Sequence, residues 1–451
     1  MIRSEKRTQQ AKQRIFEQIE ILMNTHALNE ITFSKIAKRI GCQPNSVAYY
    51  FENKMDMLLQ FMQDYIVTAD TELLPVLRKG IEDLPPVDRF CKEIDCLFAV
   101  SDHKSKPRLL NNYFLVSNAP LHSEFCEDLN LKTRQDMENI KILLEGYKHS
   151  GVLCEERFDD TYIELEFYIG TFSLMHIFKF PLYRYEDMLH NVKEYLKSQF
   201  LIDGLYTPAY RPVVLPNDYY CADIQAAEKR YSANDKNIPS LKLEVLQAIN
   251  ILLSQNRPDD ITFSKLAELC YSQPSGIAYY FKDKDDMLLQ ALILRIERVS
   301  KSEQLEVKNP HFSDRSLTAL CDDIHTICGV GLLKDGFSFW ANYFIISGIA
   351  TKPEYRDYFC YYQRKRCDSF LQIMSRFNKE DFFDADAMQS ALSEIFCFKD
   401  GYALHLLFQA PLLEPEKLKR ITEKRYVRKL IKPEYHAEAF NYLNTKYYPM
   451  G

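Results

Sequence analysis

Around Pro44 stand Gln43, Asn45, Ser46 and Tyr49, and 230 residues later Gln273, Ser275, Gly276 and Tyr279 stand in the same way around Pro274. Proline suits the first turn of a helix, where its missing N–H is not needed. A short helix from Pro44 to about residue 51 buries Val47 and Phe51 and leaves Asn45, Ser46 and Tyr49 outside. Amides and small hydroxyls on such a face can meet base edges in a DNA major groove. Lys35 beside the first set and Lys265 beside the second can hold phosphates and fix the register.

Other elements must place these residues. Ile15, Ile19 and Leu22 recur on one face of a helix, and Val245, Ile249 and Leu252 repeat that face. Thr32 and Thr262 are the expected N-caps of the next helix. In the first set this helix turns Phe33, Ile36, Ala37 and Ile40 inward and Lys35, Lys38 and Arg39 outward. Gly41 ends it with a left-handed cap. Tyr271 stands where the second set needs that glycine, so a turn with φ > 0 strains it. A further helix starts near Asn53 and Lys54. Two short helices joined by a tight turn, the second polar-faced, make a helix-turn-helix.

The motif belongs to a longer repeat. Residues 31–60 align without a gap to residues 261–290, with 18 identities in 30 positions. The same offset pairs Cys91 with Cys321, Asn112-Tyr113-Phe114 with Asn342-Tyr343-Phe344, and Phe178, Pro181 and Leu182 with Phe408, Pro411 and Leu412. A register held over that distance means a whole subunit is duplicated. The expected organisation is a helix-turn-helix domain at 1–55, a helical domain at 56–203, a Pro-interrupted linker at 204–239, a second helix-turn-helix domain at 240–285 and a second helical domain at 286–451.

The run Ile36-Ala37, Gly41, Tyr49-Tyr50-Phe51, Lys54 and Leu58 resembles the DNA-binding signature of the TetR family of transcriptional regulators, and Leu266-Ala267, Tyr279-Tyr280-Phe281, Lys284 and Leu288 resemble it again. Ala48 and Ala278 stand where many members carry a phosphate-contacting tyrosine. The resemblance implies an all-α fold of two tandem TetR-like subunits. Each has a helix-turn-helix and a helical domain for ligand binding and dimerisation, so one chain forms a pseudo-dimer. It implies phosphate contacts from Lys54 and Lys284. Tyr49 and Tyr279 either lie against DNA or pack on the recognition helix; Phe51 and Phe281 read as core. The last two helices of each subunit, at 161–178 with 186–200 and 387–408 with 414–430, then pair within the chain. Tyr113, Phe114, Trp340, Tyr343 and Phe344 are candidates to line an effector cavity, and each also reads as ordinary core.

The two copies differ in charge. Residues 1–60 hold nine Lys/Arg and six acids, while residues 231–290 hold six and eight. Lys38 and Arg39 become Glu268 and Leu269, and Asn45-Ser46 becomes Ser275-Gly276. DNA affinity grows with the phosphates neutralised. Copy one therefore grips DNA harder, on an asymmetric operator. The other reading of the acidity is that copy two has left DNA and the protein is a sensor or partner-binding molecule.

Composition sets the remaining bounds. Thirteen glycines in 451 residues disfavour a turn-rich β fold and a phosphate-cradling loop, and no nucleophile elbow or paired zinc histidines occur. An enzyme or a resident cofactor is not expected. The net charge of −6 leaves any basic footprint local. Twelve cysteines without framework spacing read as reduced thiols of a cytoplasmic protein, and no run is long enough to span a membrane. Cys321, His325 and Cys328 fall on one helical face and could begin a zinc site, but no fourth ligand is evident and core packing is the simpler reading.

Overall fold

The computed structural model describes residues 2–23, 30–62, 64, 78–101, 134–135, 137–178, 185–211, 238–307, 313–329, 344, 355, 358, 361, 368–388, 391 and 415–449. The chain is all-α: among these residues no β-strand forms, and the only bridges are the isolated antiparallel pairs Leu153–Leu201 and Phe383–Ile431. No described helix is long and apolar enough to cross a membrane.

The chain divides into two compact units, Met1–Ile177 with Tyr195–Pro208, and Phe178–Glu194 with Ala209–Gly451. Residues 178–194 thus come from the first copy but group with the second.

In the first copy α1 (Ile2–Met23), α2 (Phe33–Ile40) and α3 (Pro44–Ala48) are followed by helical residues 54–62. Beyond them lie α4 (Pro86–Ser101), α5 (Glu155–Phe178) and α6 (Tyr185–Phe200). The second copy has α7 (Ser240–Leu252), α8 (Phe263–Leu269), α9 (Pro274–Ala278), α10 (Lys284–Val307), α11 (Leu317–Gly329) and α12 (Pro415–Leu430). A last helix, α13 (His436–Tyr447), has no helical counterpart at the described residues 206–211 of copy one.

The duplication extends to individual hydrogen bonds. The Cys154 amide donates to Phe200 O at 2.7 Å and the Asp384 amide to Leu430 O at 2.9 Å, both pairs 230 residues apart. The Ile202 amide donates to Val152 O at 3.0 Å and the Lys432 amide to Phe382 O at 2.9 Å. The ends of α6 and α12 are therefore tied down in the same way, as a copied subunit requires.

Apolar spacing explains the cores. On α4, Phe90, Ile94, Leu97 and Phe98 are buried at helical intervals, and Phe90 meets Phe200 edge-on at 5.5 Å. On α6, Met188, Val192, Leu196 and Phe200 form one buried stripe. Glu93 sits inside this core, 1% exposed, and Arg78 grips both its oxygens through Nε at 3.0–3.1 Å and Nη2 at 2.8 Å. The equivalent acid of copy two, Asp323, pairs instead with Arg376, and burial pushes its carboxyl up to about 6 against the pull of that arginine. Both copies keep an acid at this position, buried in the first and half-buried in the second, and pair it with different arginines.

Of the cavity candidates, Tyr113, Phe114, Trp340 and Tyr343 lie outside the described residues. Phe344 is buried, with its ring 4.8 Å from that of Tyr355. The face shared by Cys321, His325 and Cys328 lies largely in the core. Cys321 and Cys328 are fully buried, and burial pushes the Cys321 thiol up to about 12. His325 has Glu423 Oε1 2.6 Å from Nδ1 and Lys419 Nζ 2.8 Å from Nε2.

Candidate nucleic-acid interface

Each helix-turn-helix is set by its caps. The Thr32 side chain accepts the Lys35 amide at 3.3 Å, and Thr262 accepts the Lys265 amide at 3.2 Å. Gly41 closes α2 at φ 78, with its own amide and that of Cys42 both donating to Ala37 O. Pro44 and Pro274 then open α3 and α9. These helices end sooner than the sequence pattern implies, at Ala48 and Ala278, because the next amides tighten: Tyr50 donates to Val47 O and Tyr280 to Ile277 O.

Copy two makes the same turn without the glycine. Tyr271 takes φ 48 and is 99% exposed, and the Ser272 amide donates to Ala267 O at 2.8 Å. A left-handed non-glycine residue costs roughly 1–2 kcal/mol, and a ring in solvent returns none of it by burial. Tyr271→Gly is therefore expected to stabilise the protein by about 1 kcal/mol, part of the gain being lost to unfolded-state entropy. Chemical denaturation checks this; a midpoint that falls would contradict the strained turn.

The polar faces of α3 and α9 point outward. Ile36, Ala37 and Val47 are buried beneath α2 and α3, as are Leu266, Ala267 and Ile277 beneath α8 and α9. Above them Gln43, Asn45 and Ser46 are exposed in copy one, and Lys265, Gln273 and Ser275 in copy two. Gly276 is half-buried and offers backbone only, and a Cβ there would sit 3.4 Å from Ser272 Oγ. Tyr49 and Tyr279 are 83% and 85% exposed, each edge-on to the following tyrosine at 5.3 and 5.5 Å. Phe51 and Phe281 are core, under the ammonium groups of Lys12 and Lys242 at 5.5 Å.

The lysines cluster at the start of the fourth helix. In copy one Asn53 Oδ1 accepts the Asp56 amide and Asp56 Oδ2 accepts the Glu52 amide, a reciprocal cap that fixes Lys54 in the first turn. Asp283 and Asp286 build the same cap before Lys284. Burial, and then the charge of Lys35, hold the Lys54 ammonium below its usual pKa. Lys35 and Lys54 are both half-buried and repel each other, Lys54 also opposes the dipole of its own helix, and an anion relieves both.

Around Lys284, burial and Lys265 lower the pKa while Asp259 and Asp260 raise it. Its Nζ donates to Asp259 O at 2.7 Å, with the Asp259 carboxylate 4.0 Å away. The acids of copy two thus offset part of the burial cost and of the repulsion from Lys265 around Lys284.

Spatial facts absent from the sequence pattern complete the face. Arg39 is exposed on α2 and its Nε donates to Gln18 at 2.9 Å. Its counterpart Leu269 is 52% exposed, and Ile251 is 66% exposed. The proximity of Lys35 to Lys54 could not be read from residues 19 positions apart.

No protein-family model matches the chain, and no curated protein matches it.

Proposed function

We propose that the protein is a ligand-responsive, sequence-specific DNA-binding transcriptional regulator of the TetR type, acting as a repressor in the cytoplasm, with one chain serving as an intramolecular pseudo-dimer. The observation that carries this reading is the doubled helix-turn-helix, N-capped alike by Thr32 and Thr262, each with an outward polar face and lysines beside it. The second helix of each enters a major groove, and Asn45 or Gln43 meets an adenine or another amide-reading edge. The lysines and helix N-termini hold phosphates.

Pairing within the chain is what the TetR resemblance implies for the duplicated subunits, and residues 178–194 of the first copy group with the second unit. The effector binds in the helical domains. It releases DNA by favouring a conformation in which the two recognition helices no longer match adjacent grooves.

Charge gives a second reading its footing. Glu268, Leu269, Asp259 and Asp260 replace or surround basic groups in copy two, and a module that has left DNA for a protein partner would carry such a surface.

A gel shift on DNA upstream of the protein's own gene separates the two. An operator carrying two copy-one half-sites should bind more tightly than one carrying two copy-two half-sites, with binding that weakens steeply in salt. Equal affinity for both, or no sequence preference at low salt, would favour the second reading.

A further inference from the structure

The groove between α12 and α13 is lined by three cations and two aromatic rings, and we propose that it binds a small organic anion with a flat apolar body. The duplication supplies an internal control. Over α12 there are seven Lys/Arg and two acids, while the matching α6 has two and three. Arg420, Lys424 and Arg428 fall at i, i+4 and i+8, one face, about 6 Å apart along the axis. Their counterparts are His190, Glu194 and Ser198.

In copy one the chain itself occupies that face. The extended residues 206–211 lie there: the Ala209 amide donates to Glu194 Oε2 at 2.9 Å, Ala209 O is 2.7 Å from His190 Nε2, and Asn191 exchanges two hydrogen bonds with Arg211. In copy two the chain turns into α13, and a groove of about 160 Å³ stays open, with Lys424 where copy one has its acceptor Glu194. The two arginines and the lysine on this face favour an occupant that accepts hydrogen bonds.

The walls define its shape. The Arg420 guanidinium lies 5.0 Å over the Tyr448 ring and spends one donor on Asn444 Oδ1 at 3.2 Å. The Arg428 guanidinium lies 5.9 Å from the Phe440 ring. Each arginine carries five N–H donors in a planar fork, and one laid on a ring presents its edge to an anion. Leu443 and the rings supply the apolar surface. The volume is below the roughly 300–1,000 Å³ of sites for drug-sized ligands, which limits the occupant to a small one.

One lining group opposes an anion and gives the site a signature. Glu423, 2% exposed, accepts from Tyr448 at 2.9 Å, and burial pushes its carboxyl up to about 7. It faces Lys419, Glu416 and Arg420 on its own helix, His325 on α11 and Tyr448 beyond α13. A bound anion favours protonated Glu423, so affinity rises as pH falls through about 7.

Benzenesulfonate tests this, because its charge does not titrate, with inorganic sulfate and benzyl alcohol as controls. Calorimetric titration of the full chain should give saturable binding at least about tenfold tighter than either control, and several-fold tighter at pH 6 than at pH 8. Arg420→Gln and Arg428→Gln should each weaken it about tenfold at unchanged melting temperature, and Lys424→Glu, the copy-one residue, should abolish it. No saturation in the wild-type chain, or affinity indifferent to Arg420→Gln and Arg428→Gln, would overturn the proposal. The site does not depend on DNA binding, so failure of either leaves the other standing.

Discussion

Replacing Lys35 and Lys54 together by alanine is expected to weaken operator binding about 100-fold near 0.15 M salt and to lower the slope of log K against log salt by about two. The two cations are close enough for Lys35 to depress the Lys54 pKa, and Lys54 is fixed in the first turn by the Asn53–Asp56 cap. On the proposed function Lys54 would meet phosphate from a prearranged position, with little ordering entropy opposing the contact. The matched pair Lys265→Ala and Lys284→Ala should cost about tenfold or less, because Asp259 and Asp260 already offset part of the charge there. Fluorescence anisotropy across a salt series, with circular dichroism to verify folding, reads both effects. Equal losses in the two copies would remove the electrostatic asymmetry, and no loss in copy one would remove the phosphate contact.

Arg78→Ala is expected to destabilise the protein by about 3 kcal/mol. The substitution leaves Glu93, 1% exposed, without the guanidinium that now grips both its oxygens. Removing one partner of a buried pair costs roughly 3–5 kcal/mol, and the lower end applies because the Arg78 side chain keeps 38% of its exposure and water can reach the gap. Tyr147, whose hydroxyl is 3.4 Å from Glu93 Oε1, gives only a weak replacement. Adding Glu93→Gln to Arg78→Ala should recover part of the loss, since a neutral amide is cheaper to bury than a carboxylate. Urea denaturation distinguishes the cases; a double variant less stable than Arg78→Ala would contradict the unpaired-charge explanation.

The parts legible in the sequence are those fixed by local chemistry. Thr32, Gly41 and Pro44 each act through their own backbone neighbours, so the caps and the turn follow from residue type and position. The positive φ of Tyr271 was legible for the same reason, since its copy-one counterpart is a glycine. Periodicity placed Ile15, Ile19 and Leu22 in the core, where they are buried.

Residues that act over long sequence distances were not legible. Glu93 and Asp323 are equivalent acids, yet their arginines come from 15 positions before one and 53 after the other. His325 shares a helical face with Cys321 and Cys328 in the sequence, but that Lys419 and Glu423, far along the chain, come to stand beside its ring could not be read from spacing. The early end of α3 was missed because an aromatic pair continues the apolar pattern while the amides of Tyr50 and Phe51 tighten to the third residue back. The cations of α12 stand in the sequence, but their meaning appears only when α13 walls the groove and α6 provides the contrast.

The measurement that bears most directly on function is a hydroxyl-radical footprint of the protein on its upstream DNA, with the complex mass determined in parallel. One chain per duplex, protecting two adjacent major-groove faces about 10 base pairs apart with the stronger protection on one half, is the expected result. Protection of a single groove per chain, or a complex that requires two chains to cover one site, would contradict a single-chain pseudo-dimer.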